Sequence, residues 1–497
     1  MLRSPPRPLS ARAHGLTSGR GVAILSALIL LTGCAETPAP KTPLASASGL
    51  ATTTAFTAPV SDWPADDWWT AYGDTQLSAL IAEGLARSPN VRETAARLRL
   101  AEAATGQART AFSPTIGASA SVNEYLQSKT LGFPREFAGF LPGSFHPMGR
   151  ATLDFAYDLD LFGKNRANLA AAISETDAAR ADKAQGRLTI ATSIAVTYAD
   201  LRRLTADRAA AVAAVEVRKK TLDLVGQRLN SGLETRGEYR LQAASVPAAR
   251  VEVDQLDRQI ALTRNALAAL LGAGPDRGQS IEIPVSAPTL KPFGLPQHLA
   301  LDLVGRRPDL TAARLRASAA ATRIKAAHAD FYPNIDISGS VGYQSLGLEK
   351  LVYDNSRTGQ FGPALHLPIF SGGRASQAQR GASARYEQAA AQYDQTLVLA
   401  LKDVADAAVN IRLLDRQLAD ARESLGHSEE AYRIAVARYE GGLSPFLSVL
   451  TSENNLISQR RAVADLEGLA FTLDIALVRA LGGGVQPPAP PVRTSAR

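Results

Sequence analysis

The chain of 497 residues has a single cysteine, Cys34, so no disulfide framework can staple it. Histidine is also scarce. His14, His146, His298, His328, His366 and His427 are scattered, with no two at metal-ligand spacing on one helix. There is no Walker motif, nucleophile elbow or metalloprotease motif. Gly272-Ala-Gly274-Pro-Asp-Arg-Gly278 looks superficially like a nucleotide loop, but it follows a helix and contains a proline, which makes it a helix end. The residues therefore point to no enzyme, no cofactor and no metal. The run Val22-Ala-Ile-Leu-Ser-Ala-Leu-Ile-Leu-Leu31 is too short for a transmembrane helix. Charge is not one-sided either: 54 basic residues face 47 acidic ones, and Arg3, Arg7, Arg12 and Arg20 fall in the leader. Such a balance gives no case for nucleic-acid binding.

Proline is common overall but missing from two long stretches, and these organise the chain. From Ser371 to Ser444 there is none, and Leu397, Leu401, Val404, Ala408, Ile411, Leu418 and Leu425 recur in steps of three, four and seven. That is the seam of a coiled coil. About seventy helical residues span roughly 100 Å at ~1.5 Å each. Gly442 suits a left-handed helix end, Ser444 a cap and Pro445 a first helical turn. Leu450, Ile457, Val463, Leu466, Ala470, Leu473 and Leu477 then carry a returning stripe. From Met148 to Val246 proline is again absent, and Arg228-Leu-Asn-Ser-Gly232-Leu233 stands where Arg438-Tyr-Glu-Gly-Gly442-Leu443 stands later. Pro247 lies inside the returning helix of this first hairpin, where a kink or local unwinding is expected.

The duplication extends upstream. Pro89, Phe112, Pro114, Ile116, Ser119, Ser121 and Val122 recur 219 positions on as Pro308, Phe331, Pro333, Ile335, Ser338, Ser340 and Val341. Ala-Ala-Arg-Leu-Arg occurs at Ala95 and again at Ala312. Two copies of helix, strand, strand and long hairpin follow: 75–272, with strands at about 114–125 and 150–161 and a hairpin at about 163–271; and 297–481, with strands at about 334–345 and 359–369 and a hairpin at about 371–481. Residues 273–296 read as a linker, and 482–497 as a disordered tail.

In the strand regions the period falls to two. Leu153, Phe155, Tyr157, Leu159 and Leu161 alternate with Asp154, Asp158 and Asp160, and Ile335, Ile337, Val341 and Tyr343 with Asp336, Ser338 and Ser340. Strands of about ten residues, apolar on one side only, fit a transmembrane barrel with a wet interior, and equally a soluble sheet covering a core. The leader and the loop aromatics Phe133, Phe137, Phe140 and Phe145 favour the barrel. Four strands cannot close one, and an open edge in lipid leaves backbone groups unsatisfied. The barrel must be shared: two chains supply eight strands, three supply twelve.

Residues 1–33 read as a secretory signal. Leu31-Thr32-Gly33-Cys34 resembles the bacterial lipoprotein box, which implies that Cys34 is acylated and, with Ala35 behind it, directed to the outer membrane. Residues 34–74 form an arm, with Trp63, Trp68 and Trp69 as its anchors.

As a whole the mature chain resembles the TolC-like outer-membrane efflux proteins, in particular the OprM-like lipoproteins. The residues that carry the resemblance are Asp67-Trp-Trp-Thr70, Asp74 with Leu77, Leu80 and Ile81, Ser88-Pro89-Asn90, Phe331-Tyr-Pro-Asn-Ile335, Leu367-Pro-Ile-Phe370-Ser-Gly-Gly373-Arg374 and Arg438-Tyr-Glu-Gly-Gly442. The resemblance implies a mainly α protein with a transmembrane β-barrel: a homotrimer with a 12-stranded barrel and a periplasmic α-helical tunnel. It also implies a periplasmic adaptor and an inner-membrane pump as partners, and adaptor contact at the hairpin turns Gly232 and Gly442. Relatives narrow the periplasmic aperture with a leucine and, four residues on, an aspartate. Leu447 matches the leucine, Thr451 stands in the aspartate position, and Glu453 lies two residues further. Alternatives are the outer-membrane component of type I protein secretion and a non-conducting coiled-coil scaffold.

Overall fold

The computed structural model describes residues 42–46, 50, 62–126, 128, 135–140, 143–283 and 306–484. The signal segment, Cys34, Phe133, His298 and most of the linker and tail lie outside them.

A 3-10 turn, Trp68–Tyr72, leads into α1 (Thr75–Arg87), whose cap Asp74 accepts the Leu77 N–H at 3.0 Å. Then come α2 (Pro89–Thr110), β1 (Thr115–Tyr125) and β2 (His146–Asp158). The first hairpin is α3 (Lys164–Asn230) and α4 (Arg236–Leu270), followed by the short α5 (Pro275–Gln279). The second copy repeats the order with α6 (Pro308–Ala329), β3 (Asn334–Leu346), β4 (Arg357–His366), α7 (Arg374–Glu440) and α8 (Phe446–Ala480). The outgoing helices α3 and α7 are 67 residues each, and the returning helices α4 and α8 are 35 each. Among the described residues no helix is long and apolar enough to cross a membrane.

Helix starts follow from local chemistry. Thr235 and Glu238 form a reciprocal capping box at α4, and prolines open α2 and α6. Strand ends differ from the sequence reading. β2 begins at His146 and stops at Asp158, because Asp160 adopts a left-handed φ of 45° and turns its carboxylate onto α3. It accepts the Asn165 N–H at 2.8 Å and the Arg166 N–H at 3.0 Å, satisfying donors at the helix start. β4 stops at His366, before Pro368, which has no N–H for a ladder.

The sheet runs β1-β2-β3-β4, antiparallel throughout, and the β2–β3 pair joins the two copies. The helices bury their apolar positions in separate clusters. In the largest, Trp68, Leu77, Leu80 and Ile81 meet Ile194, Tyr198 and Leu201 of α3, Leu267 and Leu271 at the end of α4, and Phe471 and Ile475 of α8. A second joins Leu310 to Leu397, Leu401, Val404, Leu477 and Leu481, and Leu44, Ala45 and Trp63 of the arm pack on it. A third, at the hairpin tips, holds Val225, Tyr439, Phe446 and Val449.

One expectation is narrowed and another corrected. Helix α4 runs unbroken through Pro247, so there is no local unwinding. The neighbouring helix stitches this region: Arg218 donates to the Ser245 carbonyl at 3.1 Å, and Gln242 to the Arg218 carbonyl at 3.1 Å. Gly482, Gly483 and Gly484 belong to the folded body rather than to a disordered tail, since Gly482 and Gly483 are buried and Gly484 is half-buried.

Candidate functional site

The register of the sheet sorts its side chains by face. Ile116, Phe155 and Phe361 fall in one cross-strand row, and Leu153 and Val341 in the next. Tyr157 and Ile337 pair on the same side. Alternate rows hold Ser119 with Thr152, Asp154 with Ser340 and Gln360, and Asp158 with Asp336. Ile116, Val122, Leu153, Val341, Phe361 and Leu365 are all exposed, so among the described residues most of the apolar face is uncovered. The polar face is internally bonded, with Ser119 donating to Asp154 at 2.8 Å. β1 and β4 each have one unpaired edge. Strand lengths of 11, 13, 13 and 10 residues match a tilted membrane crossing.

At the far end of the hairpins, the two turns have the same geometry. The Leu233 N–H donates to the Arg228 carbonyl and the Leu443 N–H to the Arg438 carbonyl, at 2.9 and 2.8 Å. Gly232 and Gly442 both sit at φ +70°, which closes each helix in a Schellman turn. A Cβ at either glycine would meet nothing within 4 Å among the described residues, so backbone conformation is what favours glycine there. Leu233 and Leu443 are 64 % and 73 % exposed beside them.

The side chains at the two turns differ despite the repeated motif. Arg228 stacks over the Tyr439 ring at 4.5 Å and donates to the Tyr439 carbonyl at 3.0 Å. The Tyr439 hydroxyl donates to Glu234, and burial, followed by that carboxylate, pushes its pKa up. The equivalent Arg438 is exposed. One turn is thereby tied to the other by contacts across more than 200 positions of sequence.

The candidate aperture residues separate into two groups. Leu447 is 67 % exposed, and Thr451, also exposed, bonds back to its carbonyl at 2.8 Å. Glu453 is corrected: it is fully buried and faces away from them. Two residues beyond Thr451 is about 200° round the helix. It accepts the Thr221 hydroxyl at 2.8 Å and lies 3.6 Å from the Arg218 Nε. Burial raises its pKa, against the lowering effect of Thr221 and Arg218. The partners Arg218 and Thr221 have no sequence signal of their own. The burial of Glu453 did have one, since Phe446, Val449, Glu453 and Leu456 are spaced three, four and three apart, along one helix face. Among the described residues no group of three or more His, Cys, Asp or Glu could hold a metal ion.

The fold recurs in known proteins. The chain is 32 % identical over 425 residues to the outer membrane protein OprJ of Pseudomonas aeruginosa, covering 84 % of this chain and 86 % of that one. It is 28 % identical over 438 residues to the multidrug resistance outer membrane protein MdtP of Escherichia coli, with 86 % and 88 % covered. The crystal structure of the outer membrane protein VceC from Vibrio cholerae superposes with a TM-score of 0.77 at 40 % identity, over 85 % of this chain and all of that one. The model of the outer membrane efflux protein family matches twice, at residues 80–273 and 299–483, once in each copy of the duplication, and the chain belongs to that family.

Proposed function

We propose that this chain is the outer-membrane channel of a tripartite efflux system, exporting small molecules across the periplasm and outer membrane with a periplasmic adaptor and an inner-membrane pump. The observation that carries this reading is the sheet: apolar on one face, polar on the other, long enough to cross a membrane and open at both edges. Unsatisfied edges in lipid cost several kcal/mol per group, so closure requires further copies. Three copies supply twelve strands, the number that the family resemblance implies. Leu241, Val251 and Leu262 on α4 are exposed apolar side chains that a neighbouring copy can cover. A non-conducting scaffold has no use for a sheet with a polar inner face.

The hairpin turns at Gly232 and Gly442 are the adaptor contact, and Leu447 with Thr451 line the narrow end of the conduit. Lipid anchoring at Cys34 fits the arm. The Thr42 carbonyl accepts the Tyr386 hydroxyl at 2.6 Å, and the Ala45 N–H donates to Asp394 at 2.9 Å. Tyr386 lies twelve residues into α7, or about 18 Å along the helix from its barrel end.

The test is conductance of the purified mature protein in planar bilayers, together with dye accumulation in cells lacking the gene. Discrete channels and raised dye retention are expected. A protein that never conducts, in cells with unchanged dye levels, would sink the reading.

A further inference from the structure

The duplication carries one half of the fold onto the other by two fixed steps. Helix α2 and strand β1 recur 219 positions on as α6 and β3, and β2 with the first hairpin recurs 210 positions on, so that α3 (164–230) becomes α7 (374–440). Strand pairing inside each repeat obeys both steps. Ile116 faces Phe155 across β1 and β2, and the residues 219 and 210 further on, Ile335 and Leu365, face each other across β3 and β4. Ser119 and Thr152 likewise become Ser338 and Gly362, which are also a pair.

One joint between the repeats lies inside the chain, where β2 pairs with β3 and α6 lies between α3 and α7. The same steps applied to that joint would link β4 and α7 to β1 and α2. Among the described residues this second joint is unmade, because β4 and β1 are the two edges of the sheet. Helix α2 is bare where α6 is covered. Leu100 is 72 % exposed, whereas its counterpart Ala319 is 0 % exposed. Ala319 lies three residues after Arg316 and four before Arg323, which pair with Asp182 and Glu175 of α3, so it is on the face turned to that helix.

We infer that a second copy of this chain completes the joint in one register: Leu365 faces Ala120 of the next copy, Ala364 faces Ser121 and Gly362 faces Asn123, while α7 packs along the next copy's α2. The internal counterparts of these pairs are Phe155 with Gly339, Asp154 with Ser340 and Thr152 with Gly342. This register keeps Leu365 and Ala120 on the apolar face and Ala364 and Ser121 on the polar one. A slip of one residue would invert the faces of one strand. The joint between copies differs from the internal one in charge. Arg316 with Asp182 and Arg323 with Glu175 become Arg97 with Gln392 and Ala104 with Arg385, and neither of these is an ion pair. The seam between copies therefore depends on its ladder and on side chains such as Leu100. The inference rests on the shared barrel proposed above and adds to it a register and a helix contact.

Cysteine pairs in the mature protein test the register. On mild oxidation, Ser121→Cys with Ala364→Cys should give a closed ring at three times the monomer mass on a non-reducing gel, absent from either single variant. Within one copy the two positions are three strand spacings apart, roughly 14 Å, too far for a disulfide. The shifted pairs, Ser121→Cys with Gly362→Cys and Ser121→Cys with His366→Cys, should stay unlinked, because diagonal neighbours stand about 7–8 Å apart. Linking in a shifted pair, or in no pair while light scattering still shows an assembly, overturns the register and leaves the shared barrel standing. A monomer by scattering overturns both. The helix contact has its own readout. Ser174 donates to the Leu315 carbonyl at 2.8 Å in the internal joint, and the counterparts are Ala384 and Ala96. Ala384→Cys and Ala96→Cys should be joined between copies by a short bis-maleimide. An assembly in which they are not joined removes the contact between α7 and α2.

Discussion

At the scale of single residues, Glu453 shows how a buried charge sets pH behaviour. Its carboxyl is desolvated between α8 and α3, and its pKa lies above the ordinary glutamate range. A carboxyl raised on folding binds its proton more tightly in the folded state. Stability is then greatest while the group is protonated and is lost as pH rises through the folded value. Glu453→Gln keeps the bond with Thr221 and removes the charge. The expected outcome is a thermal midpoint at pH 7.5 above that of the wild type, worth about 1 kcal/mol, with a flatter dependence on pH. A lower midpoint would show that Arg218 depends on the carboxylate. At Thr451 the charge is missing instead. Thr451→Asp places a ring of carboxylates at the conduit's end in any symmetric assembly, and bilayer recordings should show stronger cation preference. Unchanged conductance and selectivity would remove Thr451 from the aperture. At Gly442, asparagine tolerates the left-handed backbone, so Gly442→Asn separates conformation from contact. Helicity should persist while crosslinking to the adaptor is lost; retained crosslinking would mean that the glycine only ends a helix.

At the scale of elements, α4 carries Pro247 without a break, held by Arg218 and Gln242 across to α3. The Ala243 carbonyl is the helical acceptor that proline leaves without a donor. Pro247→Ala restores that bond and should raise the unfolding midpoint, by up to about 3 kcal/mol if the helix needs no other adjustment. A lower midpoint would mean that the neighbouring helices are fitted to the proline. The hairpins were legible in the sequence because a seam in threes and fours, uninterrupted by proline and ended by glycine, has few other solutions. The strands were legible in their alternation but not in their ends. Those depend on side chains such as Asp160, whose carboxylate reaches five and six residues ahead to α3. The tie from Arg228 and Glu234 to Tyr439 could not be read, since the repeated motif makes the two arginines look equivalent. Glu453 was misplaced for a different reason. Its nearness to the aspartate position of the family pattern, which Thr451 occupies, outweighed its own spacing from Val449 and Leu456, which puts it in the packed seam.

At the scale of the whole molecule, the central claim is that one chain is an incomplete object. Among the described residues its sheet has two open edges and a largely uncovered apolar face, and its 67-residue helices are each about 100 Å long if straight. Each deficiency is removed if copies close around a common axis, which pairs the edges, turns the apolar face to lipid and encloses the polar face. The most direct measurement is the mass and outline of the detergent-extracted mature protein, by light scattering and negative-stain electron microscopy. The account predicts three copies in a tube longer than about 100 Å. A monomer or dimer of compact outline would contradict it.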